Sequence, residues 1–246
     1  MGCYRFYSVD GKLIMYSIII ALVLALSTVM PANKMPDTIS LKFERKVVQN
    51  NSTEIIKGIA YYKSPQRVFI EVHQPLKQIM IVEKNVLTIY YPAENKAFRI
   101  KSKGPIPMPF IQAILSAMKD DYGLSEMGYN LAKHEKKGNV LYTYWDPPKE
   151  HKKQMGRFIL GTENGLLNYA EALNPKGKTV IKSFYGKHTE FNGKHFPLEA
   201  RSEIFEGSKK NEEYVTYSDV KFNVSLPKEV ISFRIPDSVP VKEIEW

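Results

Sequence analysis

Between residues 38 and 92 the hydrophobic positions come in short runs, and each run ends in turn chemistry. Thr38 to Val48 alternates, with Ile39, Leu41 and Phe43 on one side and Ser40, Lys42 and Glu44 on the other. That period of two predicts a strand with one buried face. Asn50-Asn51-Ser52 turns the chain into a second strand, Glu54 to Tyr62, which stops at Ser64-Pro65. Arg67 to His73 stops at Gln74-Pro75, and Ile79 to Tyr91 stops at Pro92. Proline has no N–H to give to a ladder, so these three prolines mark strand ends. The run from Ile79 is too long for one strand and carries Glu83-Lys84-Asn85 in its middle, which predicts a hairpin. Residues 58 to 92 therefore read as four consecutive strands of a meander.

The same alternation assigns faces. Val68, Ile70 and Val72 point one way, and Arg67, Phe69, Glu71 and His73 the other. A two-residue turn at Glu83-Lys84 or at Lys84-Asn85 puts Met80 and Val82 on one face with Leu87 and Ile89. Ile79 and Ile81 then share the other face with Val86, Thr88 and Tyr90. Both faces are largely apolar, more than a half-solvated antiparallel sheet needs. Either a helical layer covers one of them, or one faces a ligand.

Lys101 to Pro109 is a proline-rich loop, and a helix is predicted after it. Pro109 suits its first position, Ile111, Ile114, Leu115 and Met118 recur at helical spacing, and Asp120, Asp121 and Gly123 end it. Its apolar stripe is expected to lie on the sheet. From Leu124 the pattern returns to strands. Lys136 to Asn139 turns between Tyr129–Leu131 and Val140–Trp145, and Lys149 to Lys153 is a basic, solvated loop. Arg157–Leu160, Leu166–Leu173 and Thr179–Tyr185 follow as strands. Asn192-Gly193 is a strong hairpin signal before a strand from Leu198 to Phe205. Lys209 to Glu213 reads as a turn into a last strand, Tyr214 to Phe222. Strands at hairpin spacing with one or two helices predict a mostly β fold, an antiparallel sheet curled into an incomplete barrel.

The N-terminus has a different character. Residues 13–30 carry no charge and follow a short polar stretch containing Arg5 and Lys12. Residues 1–32 are expected to be a secretory signal, and residues 33–246 the folded domain. The apolar segment is also close to the ~18 residues at which a spanning helix becomes feasible, so an uncleaved anchor is the alternative. The one cysteine, Cys3, excludes an intramolecular disulfide and any zinc site built on cysteines. A net charge of +9 fits anionic partners such as lipid headgroups, or simply a basic solvated surface.

The meander also carries a resemblance. Gly58, Lys63-Ser64-Pro65, Gln74-Pro75 and Tyr90-Tyr91-Pro92 fall without gaps on a pattern of the LolA-like lipoprotein carriers and the wider lipoprotein-sorting family. Phe233-Arg234-Ile235-Pro236 is similar to that family's closing F-x-x-P, and weaker similarity runs over about residues 38–240. The resemblance implies a half-barrel under a helical lid and a periplasmic carrier of acyl chains. It further implies inner-membrane release machinery, an outer-membrane acceptor, a monomer and no cofactor. Candidate cavity residues are Val68, Ile70, Val72, Met80, Leu87 and Ile89, with Ile111, Ile114, Leu115 and Met118 from the helix. In LolA an arginine directly before the strand-ending proline closes the lid over the empty cavity. Here that position is Ser64.

Catalytic signatures are absent: no G-x-S-x-G, H-E-x-x-H, P-loop or G-x-G-x-x-G occurs. His188 and His195 flank Glu190, a pattern that occurs both in metal sites and on ordinary surfaces. Glu199, Arg201 and Glu203 alternate as a solvent-facing ladder would. Scattered basic residues without an aromatic platform motif do not suggest nucleic-acid binding. A carrier is therefore set against an envelope sensor or small-molecule enzyme built on the same fold. An ionisable cluster in the cavity would favour the enzyme, and the six strand candidates contain none.

Overall fold

The computed structural model describes residues 35–49, 52–65, 67–102, 112–207 and 209–245. The N-terminal apolar segment, Pro109 and Ile111 lie outside them. Pro36 to Trp246 forms one compact unit. Among the described residues fourteen strands join in one sheet. They are β1 (Thr38–Gln49), β2 (Ser52–Lys63), β3 (Arg67–Gln74), β4 (Gln78–Glu83), β5 (Val86–Tyr91), β6 (Lys96–Lys101) and β7 (Asn130–Lys137), continuing with β8 (Val140–Asp146), β9 (Phe158–Glu163), β10 (Leu166–Leu173), β11 (Thr179–Phe191), β12 (Lys194–Glu206), β13 (Lys209–Phe222) and β14 (Val241–Glu245). Among the described residues two short helices accompany them, α1 (Gln112–Ala117) and α2 (Lys228–Ile231).

The sheet is built from two meanders that meet in the middle. Its order is β14-β6-β5-β4-β3-β2-β1-β13-β12-β11-β10-β9-β8-β7, so β1 through β6 make one wing and β7 through β13 the other. Neighbours are antiparallel except β14, which runs parallel to β6 with Val241 opposite Ala97. The outer strands β14 and β7 do not pair with each other, so the curled sheet stays open.

Lys84-Asn85 makes the tight turn between β4 and β5, with Lys84 in the left-handed region at φ 55° and Glu83 opposite Val86. Gly58 sits where the β2–β3 register slips by one residue. A Cβ there would lie 2.2 Å from the Glu71 carbonyl oxygen and 2.9 Å from the Phe43 ring, so only glycine fits. On the second wing an edge-to-face row of Tyr142, Tyr169 and Phe184 crosses β8, β10 and β11, with centroids 6.2 and 5.6 Å apart. Gly161 of β9 leaves the space between Tyr142 and Tyr169.

Three expectations need correction. Residues from Leu124 to Gly128 form turns, not a strand; Leu124 is buried with Tyr129, Leu160 and Leu167 in a core of its own. Lys209 to Glu213 is strand, because its charges are matched across the ladder to β12: Lys210 Nζ lies 3.6 Å from Glu203, and Glu212 lies 3.3 Å from Arg201. The strand expected from Leu198 begins earlier, at Lys194, so Pro197 lies within β12. Pairing of β12 with β13 begins at Glu199, so the missing N–H breaks no ladder bond on that side.

Candidate functional site

The register of the first wing brings the predicted apolar face together. Tyr62, Val68, Val82, Leu87 and Ile100 form one row across β2 to β6, and Ala60, Ile70, Met80, Ile89 and Phe98 form the next. Val72 lies opposite Gly58 and extends the patch. No carboxylate, ammonium, guanidinium or imidazole group stands in these rows. Val68, Ile70, Val72 and Val82 are fully buried, whereas Met80, Leu87 and Ile89 are half-buried. Each enclosed aliphatic side chain contributes about 2 kcal/mol of transfer free energy.

Of the helical candidates, Ile114, Leu115 and Met118 are buried. α1 packs against β12, four strands along the sheet from β3. Lys194 of β12 donates to Asp120, just beyond α1, and ties the two together. The strand candidates thus make one contiguous patch, and the helical ones sit on the second wing. Two open clefts, of about 380 and 410 Å³, are lined by other residues.

The opposite face of the first wing is covered by the chain itself. Phe69, Ile81 and Val230 form a core cluster joined by Tyr61, Ile79 and Phe233. The Phe233 ring meets Phe69 edge-on at 5.4 Å and lies 6.3 Å from Tyr90. Arg67, on this face of β3, pairs with Glu83, and its Nη2 donates to the carbonyls of Val230 and Phe233 at 3.5 and 3.4 Å. The layer over this side is therefore the segment from Leu226 to Phe233. Its sequence signal was the apolar spacing of Val230 and Phe233 ahead of Ile235-Pro236.

Ser64 is exposed, and its backbone N–H donates to the Asp37 carbonyl at 2.9 Å. His188 Nε2 lies 2.8 Å from the Leu167 carbonyl, while His195 faces Glu190 at 3.7 Å. Among the described residues no three metal-ligating side chains cluster. The Glu199–Arg201–Glu203 face is ion-paired, with Arg201 2.7 Å from Glu203 on its own strand and 3.3 Å from Glu212 on β13. Glu212 accepts from the Tyr214 hydroxyl at 2.7 Å. That bond and the Lys210 and Arg201 cations hold its carboxyl down at about 2.

An open, curled antiparallel sheet with an uncharged apolar patch defines the architecture of the half-barrel proteins. Residues 34–196 match the family described as outer membrane lipoprotein carrier protein LolA, and the chain belongs to that family. No curated protein matches it. Among solved structures, a DUF1329 family protein from Desulfovibrio piger superposes with a TM-score of 0.58 at 15% identity, covering 87% of this chain and 97% of the other. A LolA superfamily protein from Nitrosomonas europaea gives 0.54 at 14%, covering 81% and 91%. A putative outer membrane lipoprotein-sorting protein domain from Vibrio parahaemolyticus gives 0.58 at 12%, covering 85% and 95%. At such identities these likenesses establish the fold alone.

Proposed function

We propose that the protein is a periplasmic carrier that binds the acyl chains of lipoproteins, or of other lipids, on the Val68 face and transfers them towards the outer membrane. It acts without a cofactor and as a monomer. Release machinery in the inner membrane loads it, and an acceptor at the outer membrane unloads it. The observation that carries this reading is the uncharged apolar patch of β3 to β5. The chain's own C-terminal segment occupies the opposite face, which leaves the Val68 face as the one available to cargo. In the filled form α1, with Ile114 and Leu115 on it and Met118 just beyond, moves as a lid, and the enclosed Val68, Ile70 and Val72 become accessible. Each CH₂ of cargo buried there contributes about 0.8 kcal/mol, enough to hold a chain by contact with aliphatic walls alone.

Mass spectrometry of organic extracts from the purified, exported protein tests this directly, and acylated molecules are the expected content. Met80→Glu is the informative variant, because Met80 is half-buried and its loss spares the fully enclosed positions. It should weaken binding of a fluorescent fatty acid at least tenfold while far-UV circular dichroism stays unchanged. Extracts without acyl chains, together with no fatty-acid binding in solution, would overturn the reading.

Export itself is part of the proposal: residues 1–32 direct it, and the mature chain begins near Asn33. N-terminal sequencing of the exported protein checks this. A sequence starting before Leu13, on protein that pellets with membranes, would identify an anchor in its place.

A further inference from the structure

One end of the second wing combines unpaired positive charge with exposed apolar side chains. Two connections meet there, the segment from Pro147 to Arg157 between β8 and β9 and the turn from Asn174 to Lys178 between β10 and β11. They are locked together: the Leu173 N–H donates to the Arg157 carbonyl at 2.9 Å, and Gly156 lies so close beneath that a Cβ would stand 2.1 Å from the Leu173 carbonyl oxygen. Lys152 and Gly177 line opposite sides of the resulting open cleft, about 380 Å³ in volume.

Five lysines, Lys149, Lys152, Lys153, Lys176 and Lys178, are exposed on these two connections. None of them has a carboxylate partner among the described residues. On the same connection Arg157 is paired with Asp146 at 2.7 Å. Charge on the neighbouring strands is partly matched: Lys133 and Lys137 pair with Glu135 at 3.5 and 3.3 Å, and Arg201 and Lys210 with Glu203 and Glu212, while Lys136 and Lys182 have no carboxylate partner among the described residues. Glu150 is the one carboxylate on the two connections, so the five lysines leave a net positive charge open to solvent, where it acts on whatever approaches.

Apolar side chains edge the same end. Leu131, Trp145, Phe158, Ala172 and Ile181 stand in one cross-strand row on β7 to β11 close to the two connections, with Trp145 and Phe158 packed on the Leu124 core and Leu131 and Ile181 left exposed. Leu131 is 51% exposed and Ile181 39%. Met127, 53% exposed, precedes Gly128, which abuts Pro148 at the start of the basic segment. A free phosphate or an acidic peptide would use the lysines and leave these side chains in water. An anionic bilayer uses both, since its phosphates meet the ammonium groups while its interface accepts apolar side chains.

We infer that this lysine-rich, apolar-edged rim docks the protein on the surface of an anionic phospholipid membrane. The inference goes beyond the carrier reading, because it fixes where the molecule touches a membrane whatever it carries.

Vesicle sedimentation and hydrogen exchange of the exported protein test it, with the N-terminus that export leaves. Vesicles of phosphatidylglycerol and phosphatidylethanolamine should bind the protein, and vesicles of phosphatidylcholine should not. Binding should fall as salt shortens the Debye length from its ~10 Å at 0.1 M. Exchange should slow at residues 127–131, 147–157 and 174–181 on the anionic vesicles alone. A lysine near such a surface contributes about fivefold in affinity, so the triple change Lys149→Gln, Lys152→Gln, Lys153→Gln should cost roughly a hundredfold. Lys63→Gln, Lys77→Gln, Lys84→Gln removes the same charge from the other wing and should cost less than tenfold. Equal losses in the two triples would overturn the inference, since attraction would then come from net charge alone. So would protection outside these residues, absence of vesicle binding, or calorimetric binding of inorganic phosphate without vesicle binding.

Discussion

Arg67 Nη2 reaches the Phe233 carbonyl at 3.4 Å and so fastens the C-terminal segment to the middle of the first wing. The contact sits on the face opposite Val68, one residue along β3, so this strand carries both the fastening and the proposed cargo patch. The same guanidinium pairs with Glu83, while its Nε is buried without a partner among the described residues. The fastening thus relies on the Nη groups and on the Phe233 ring.

Phe233→Ala should destabilise the protein by about 2 kcal/mol, less than the ~3–5 kcal/mol of a fully enclosed phenylalanine, because the ring is only half-buried. Arg67→Ala should cost less in urea denaturation, yet it should open the segment from Leu226 to Phe233 to limited proteolysis. If cleavage there is no faster than in the native protein, packing alone holds the segment.

Gly58→Ala should cost about 1–3 kcal/mol, the range for overfilling a packed site. The new methyl group would meet the Glu71 carbonyl at 2.2 Å, and backbone in the middle of a sheet yields little. Urea denaturation of the variant measures it. A cost within experimental error would mean that the β2–β3 register slip relaxes freely.

Much of the first wing was legible because its punctuation and its period agreed. Pro65, Pro75 and Pro92 each follow a strand end, and the parity of Met80, Val82, Leu87 and Ile89 survives into the register. The second wing was harder. At Lys209 to Glu213 a charged run reads as a turn until its partners on the next strand are known. Pro197 reads as standing ahead of its strand until β13 is seen to start pairing at Glu199. β14 could not be anticipated from Val241 to Glu245, whose place comes from a parallel pairing with β6 far back in the chain. The apolar patch was readable residue by residue. Which of its two faces the chain would cover for itself depended on Val230 and Phe233, more than 150 positions away from β3 in sequence.

Acid should weaken the fold through Glu212. Its carboxyl is held at about 2 against an ordinary 4.5, first by the Tyr214 hydroxyl and then by Lys210 and Arg201. A carboxyl depressed in the folded state contributes stability that is complete above 4.5 and lost as the pH falls towards 2. Glu212→Gln should therefore lower the urea midpoint at about pH 6, and the difference from the native protein should vanish near pH 2. A difference that persists unchanged at the acid end would place the contribution in packing, not in charge.

The last prediction concerns Ser64. The position that in LolA holds an arginine before the strand-ending proline is here a serine, exposed, whose backbone N–H is used by Asp37. A hydroxyl offers one donor where a guanidinium fork offers five, so the proposed lid would have little to close on at this point. Arg67, three residues on, is committed to Glu83 and the C-terminal segment. Ser64→Arg should supply the missing donors without disturbing the Asp37 bond, which uses only backbone. The empty, closed form then becomes more populated, and a ligand that binds only open forms binds more weakly in proportion to the open fraction that remains. Stopped-flow exchange of a fluorescent fatty acid should show a lower apparent affinity in the variant, carried mainly by a slower on-rate. Identical affinity and rates in the two proteins would place the control of the cavity away from Ser64.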